Sequence, residues 1–308
     1  MQPEHDNFAP ASCWFKLAGP DQPCQIVSRM NLPRFDFSQW MNKLLPAAPR
    51  QPKIALVLGG GGARGFAHIG VIKVLESQGI IPDIVVGTSV GSAVGALYAA
   101  GYSGFQLQEI SFPMQRGSVS SWIMPNRGFL TGEPLEQFIN RMVKQQPLEK
   151  LQRTFAAVAT DLDSGEEVVF RSGDTGQAVR ASCSVPGIFQ PTRILDKSYV
   201  DGGLVKPVPA SVARAMGADI VIAVNISNLP ENNRTKSMLH VLMQTFDIMS
   251  GSINRYELKH ADVVIRPVTK EIDQTNLDDK HWAILEGEKS AAAALPLIKE
   301  KLESFSER

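Results

Sequence analysis

A serine held between two glycines, Gly87-Thr88-Ser89-Val90-Gly91, is the residue of this sequence best placed for covalent chemistry. It follows a short apolar run, Asp83-Ile84-Val85-Val86, and precedes a stretch of small residues from Ser92 to Ala100 closed by Gly101. A sharp turn between a buried strand and a helix would push the serine hydroxyl out above a sheet. Gly87 and Gly91 are needed there because a side chain would crowd the turn. The N-terminus of the following helix favours negative charge nearby. The plain alternative is a serine that only caps a helix.

A second glycine cluster lies upstream, Gly59-Gly60-Gly61-Gly62-Ala63-Arg64-Gly65. It contains G-x-G-x-x-G at Gly60, Gly62 and Gly65. A Walker loop is excluded, because no Lys-Ser or Lys-Thr follows the glycines. A dinucleotide site would want an acidic residue at the end of the second strand, and Asp83 opens that strand instead. The third reading is an oxyanion hole, in which consecutive glycines bring backbone N–H groups close to a substrate oxygen. This reading alone accounts for a second strand that ends in a candidate nucleophile.

A base must accompany the serine. Five histidines are present: His5, His68, His240, His260 and His281. His68 lies just inside the helix after the glycine loop, where it caps or packs that helix. His281 lies in a late helix, and a Ser–Asp–His order would draw on it or on His240 or His260. Asp201-Gly202-Gly203 offers another base, after an extended stretch and with open surroundings; the alternative for Asp-Gly is an ordinary turn.

These three motifs, in this order and at these distances, resemble the patatin-like phospholipase family, in particular its bacterial branch related to neuropathy target esterase. Two further segments agree: Ala181-Ser182-Cys183-Ser184-Val185-Pro186-Gly187-Ile188-Phe189 before the Asp-Gly motif and Lys206-Pro207-Val208-Pro209 after it. The similarity covers about 55–215. It implies a three-layer α/β/α fold with a mainly parallel central sheet. It also implies a Ser–Asp dyad in which Ser89 forms an acyl-enzyme and Asp201 moves the proton. The N–H groups of Gly61, Gly62 and Val90 would hold the oxyanion. Gly60, Gly65, Gly87, Gly91, Gly202 and Gly203 support the motifs, and Arg64 either steadies the glycine loop or meets a phosphate head group. The implied substrates are phospholipids or lysophospholipids, with peripheral membrane contact and neither cofactor nor metal. A catalytically idle module of the same fold would carry the same motifs. A free aspartate has a pKa of about 4, so Asp201 serves as a base only if burial raises it.

The elements that must position these residues follow from periodicity. Ile54–Leu58 is a continuous apolar run, as in a strand buried on both faces. A helix is predicted over 66–78, with Ile69, Ile72 and Leu75 on one face, and Gly79 closes it. Strand, turn, helix, strand, turn, helix within about 50 residues implies parallel strands joined by right-handed crossovers. Further strands are predicted at 155–160 and 166–170, around the turn Asp163-Ser164-Gly165, and at 220–224 and 263–265. Residues 192–200 read as one extended stretch. Helices are predicted at 134–144, 209–216, 236–259 and 279–303. The 236–259 helix, rich in Met, Leu and Phe, either packs in the core or lines an acyl groove.

These elements define one hydrolytic domain over about 53–305. Residues 1–52 form an N-terminal extension with one short amphipathic piece, Phe37, Trp40, Met41, Leu44 and Leu45, that docks on the domain or serves as a membrane foot. Thirty-one basic residues balance 31 acidic ones among 308. Zero net charge carries no footprint for nucleic acid, and 44% apolar residues exclude a disordered chain. Three scattered cysteines, Cys13, Cys24 and Cys183, form no disulfide scaffold and suggest a reducing, cytoplasmic setting. No apolar run reaches membrane-spanning length, and the polar N-terminus does not read as a signal peptide.

Overall fold

The computed structural model describes residues 50–113, 131–227, 238–269, 272 and 279–306. All of these belong to the second of two units, Met1–Ala48 and Pro49–Arg308. The amphipathic piece at 37–45 lies outside the described residues, as do the first two positions of the predicted 236–259 helix.

Among the described residues eight strands form a single sheet: β1 (Ile54–Leu58), β2 (Ile84–Thr88), β3 (Thr154–Asp161), β4 (Glu167–Phe170), β5 (Thr192–Ile194), β6 (Lys197–Asp201), β7 (Ile220–Val224) and β8 (Val263–Ile265). Their order is β5-β6-β3-β2-β1-β7-β8, with β4 also on β3. The five strands β3-β2-β1-β7-β8 run parallel. Three strands at the other end are antiparallel to their neighbours. Residues 192–200 are therefore not one strand. Leu195 takes φ 55 and, with Asp196, folds the stretch into a hairpin without a glycine.

Eight helices accompany the sheet among the described residues: α1 (Phe66–Ser77), α2 (Val90–Ala99), α3 (Gly104–Ser111), α4 (Glu133–Met142), α5 (Thr175–Ser182), α6 (Ala210–Ala215), α7 (Met238–Glu257) and α8 (Lys280–Ser306). Alternate residues along the strands feed two cores. Leu56, Leu58, Val85 and Ile222 pack with α1, α2 and α8 on one face. Ala55, Val57, Val86 and Val221 pack with α6 on the other. Burial on both faces is why the parallel strands read as unbroken apolar runs. The result is the expected three-layer α/β/α arrangement. Two glycines let α1 and α8 approach closely: a Cβ on Gly70 would meet Ile284 O at 2.0 Å, and one on Gly287 would meet Ala67 O at 2.0 Å.

The register of β3 brings the two chemical ends together. β4 occupies one edge of β3, pairing Ala157–Thr160. On the other edge β2 runs parallel and ends at Thr88 opposite Val158. β6 runs antiparallel along the same edge and ends at Asp201 opposite Ala159. The two strands thus point their C-terminal ends at each other, on consecutive residues of β3.

Candidate active site

Ser89 sits at the junction of β2 and α2 with φ 54 and ψ −130, strained for a residue with a Cβ. The turn is too tight for side chains at its flanks. A Cβ on Gly87 would lie 2.4 Å from Gly91 O, and one on Gly91 would lie 2.1 Å from Leu58 O. The Ser89 side chain does not cap α2. That role goes to its carbonyl, which accepts from the Ser92 N–H at 2.8 Å and the Ser92 hydroxyl at 2.6 Å. The capping alternative for Ser89 therefore fails, and its hydroxyl faces a pocket.

That pocket is also lined by Gly60, Gly61, Gly62, Asp201 and Gly203. Gly60 lies against the serine; a Cβ there would stand 3.2 Å from the Ser89 Cβ. Gly65 packs directly on Val90, the first residue of α2. Val185, Met243, Phe246 and Pro207 supply apolar wall, and Ser227, Asp247 and Ser250 supply polar wall.

Asp201 is buried. Its Oδ1 accepts from the Gly203 N–H at 2.7 Å, so it does serve the turn, as the plain reading of Asp-Gly expects. Its Oδ2 is buried without a hydrogen bond of good geometry. Burial pushes its pKa up to about 6, opposed by the Ser89 hydroxyl and the Gly203 N–H. Burial thus meets the condition for an aspartate to act as a base near neutral pH.

Residues without an obvious chemical signature hold this geometry. The hydroxyl of Ser182, the last residue of α5, accepts from the Ser89 N–H at 2.9 Å and donates to Val158 O at 2.6 Å. Ser184 accepts the Asp201 N–H through its carbonyl at 3.0 Å, and the Thr160 hydroxyl donates to Asp201 O at 2.9 Å. One segment, 182–184, therefore fixes the backbones of both Ser89 and Asp201. Cys183, between the two serines, has its thiol pushed well up by burial and the nearby Asp201 charge, so it stays protonated. Lys206 O accepts the Thr88 hydroxyl at 2.7 Å, and Pro207 O accepts the Gly60 N–H at 2.9 Å. The two supporting segments are thus braces between the motifs.

Arg64 does not line the pocket but reaches a residue that does. Its guanidinium makes two bonds of 3.2 Å to the carboxylate of Asp247 on α7, with both side chains nearly buried. Of its two expected roles, this supports steadying the glycine loop. His68 is buried and hydrogen-bonds Gly59 O through Nε2 at 2.8 Å, and burial lowers its pKa to about 4. It is a neutral strut beneath the glycine loop. His281 stacks on Phe112. Among the described residues no histidine lines the pocket. Asp83 accepts the Ile54 N–H at 2.8 Å. It ties the starts of β1 and β2, at the far end of these strands from the glycine loop, so the dinucleotide reading has no acidic partner. No group of His, Cys, Asp and Glu able to hold a metal occurs among the described residues.

The fold and the pocket define an α/β protein with a strained serine at a strand–helix turn and a buried carboxylate beside it. Residues 56–214 match the model of the patatin-like phospholipase family. The chain belongs to that family, which classes it with lipid hydrolases. It is 34% identical over 193 residues to an uncharacterised NTE-family protein of Mycobacterium tuberculosis, covering 59% of this chain and 52% of that protein. It is 35% identical over 188 residues to human patatin-like phospholipase domain-containing protein 6, covering 58% of this chain and 14% of that protein. The matched part thus spans about half of the bacterial relative and a small part of the human one. The crystal structure of VipD from Legionella pneumophila shares the fold, with a TM-score of 0.52 and 13% identity, covering 83% of this chain and 67% of that one.

Proposed function

We propose that this chain is a serine lipid acyl hydrolase that cleaves carboxylic esters of phospholipids or lysophospholipids through Ser89 and Asp201, with the hydrolytic domain over about 53–305. The observation that carries this reading is the pairing of a strained Ser89, whose side chain does not cap α2, with the buried Asp201 carboxylate on which its hydroxyl acts.

Ser89 Oγ attacks the ester carbonyl carbon while its proton passes to Asp201 Oδ2. The carbonyl oxygen becomes an oxyanion, held by the N–H groups of Gly61, Gly62 and Val90 and by the dipole of α2. The intermediate collapses to an acyl-enzyme as the departing alcohol takes the proton from Asp201. Water then attacks the acyl carbon, gives a proton to Asp201, and the fatty acid leaves with Ser89 reprotonated. A carboxylate with a pKa near 6 is a weaker base than imidazole. The oxyanion donors therefore carry a large share of the rate, about 10²–10³ for each.

The Ser89→Ala protein tests this reading. Hydrolysis of p-nitrophenyl butyrate is expected to fall at least about 10³-fold with the fold intact by circular dichroism. Undiminished turnover in that variant would overturn the assignment. A panel of phospholipids and lysophospholipids then identifies the substrate.

A further inference from the structure

Two consecutive residues, Lys206 and Pro207, hold all three motifs. The Lys206 N–H donates to Gly202 O at 2.8 Å, directly after Asp201. Lys206 O accepts the hydroxyl of Thr88, the residue before Ser89, at 2.7 Å. Pro207 O accepts the Gly60 N–H at 2.9 Å, and Gly60 lies against the Ser89 side chain. The Asp201 turn, the end of β2 before Ser89 and the glycine loop thus converge on one dipeptide. That dipeptide belongs to no strand or helix. No ladder of backbone bonds sets its position.

Its anchor is a side chain. Lys206 Nζ donates to Glu257 Oε1 at 2.5 Å and to Ser211 Oγ at 3.0 Å, and lies 3.4 Å from Glu167 Oε2. Glu257 ends α7, and its second oxygen accepts the hydroxyl and the N–H of Ser211 in the first turn of α6. The Lys206 side chain is 23% exposed and that of Glu257 7%. A pair this far from solvent resists separation, because either charge left alone would be costly. Pro207 has a locked φ, so an anchored Lys206 also limits where the Pro207 carbonyl can go. Neither Lys206 nor Glu257 lines the pocket.

We propose that Lys206, clamped by Glu257, is a positioning residue for the reaction at Ser89. The ion pair sets the two carbonyls that hold Thr88 and Gly60, and through them the Ser89 hydroxyl and the N–H groups of Gly61 and Gly62. The proposal rests on the hydrolase reading of the site. The pair acts through backbone and not on substrate, so its loss should lower kcat and leave KM nearly unchanged. A displacement of about 1 Å at reacting groups can cost about 10²-fold in rate.

The test uses the full chain, with p-nitrophenyl butyrate as substrate. Glu257→Gln and Lys206→Met are each expected to lower kcat about ten- to hundred-fold, with KM within about two-fold of the parent. Asp262→Asn is the control. Asp262 pairs with Arg214 and accepts the Val221 N–H at 2.7 Å, at the end of β7 away from the pocket. Its loss should lower the thermal midpoint and leave kcat within about two-fold of the parent. Amide exchange read by mass spectrometry gives a measure that needs no turnover. Peptides covering 59–65 and 87–91 should exchange at least about ten-fold faster in both pair variants, with α8 unchanged. Parental exchange in both loops, a loss that falls on KM instead of kcat, or an equal kcat loss in Asp262→Asn would overturn the proposal. If Lys206→Met does not fold, Glu257→Gln carries the same test. A parent without ester turnover would count against the hydrolase reading, while the exchange result still decides the positioning.

Discussion

In the proposed mechanism Asp201 carries opposed demands from stability and catalysis. Burial raises its pKa to about 6, so the folded state disfavours the charged form relative to the unfolded chain. The folded state is least burdened below the unfolded pKa, near 4, where the carboxyl is neutral in both states. Between about pH 4 and 6 the unfolded carboxyl is ionised while the buried one keeps its proton, so stability falls by roughly 2–3 kcal/mol over that window and is level above it. Asp201→Asn removes that charge. The variant should therefore be inactive yet more stable than the parent at pH 8, with the difference vanishing near pH 4, as thermal melts across pH can check. In the parent, kcat/KM should fall as pH drops through about 6, because the base must be ionised. The positions of Ser89 and Asp201 at tight turns were legible from their flanking glycines, although Gly202 marks crowding, with a Cβ there 2.2 Å from Val158 O, and not the open surroundings the sequence suggested. The braces were less legible. Ser182 ends a helix of only 8 residues, Thr175-Gly176-Gln177-Ala178-Val179-Arg180-Ala181-Ser182, too short for its periodicity to stand out, and a hydroxyl that holds a backbone N–H leaves no spacing signal. Only the resemblance drew attention to that segment, without assigning it a task.

At the scale of elements, the site depends on how separate pieces are held in register. The parallel strands could be read directly because double-sided burial produces unbroken apolar runs. The β5–β6 hairpin could not, because its turn uses Leu195 at positive φ where a glycine or asparagine would have marked it. The partner of Arg64 was also hidden, since Asp247 lies 183 positions away. That pair clamps the glycine loop to α7. Asp247→Asn should cost roughly 2–4 kcal/mol, because it leaves a buried guanidinium without its counter-charge. Urea unfolding measures that loss, and kcat should fall with it as the loop loosens. A variant with parental stability and kcat would show that the pair does not position the loop.

For the whole molecule, charge balance and patterning matter more than composition. Thirty-one charges of each sign leave no net attraction to an anionic membrane. Hydrolysis of phosphatidylcholine vesicles is therefore expected to change less than about two-fold between about 0.05 and 0.5 M salt, since only screened charges would respond. A steep fall with salt would point to electrostatic docking on the vesicle surface.

The central claim is that Ser89 is a nucleophile made reactive by its turn and by Asp201. Labelling of the native protein with a fluorophosphonate probe, followed by peptide mass spectrometry, addresses it most directly. The expected result is one modified residue, Ser89, with labelling lost in Ser89→Ala and strongly slowed in Asp201→Asn. Ester hydrolysis that persists with Ser89 unlabelled, or a label on another residue, would contradict the account.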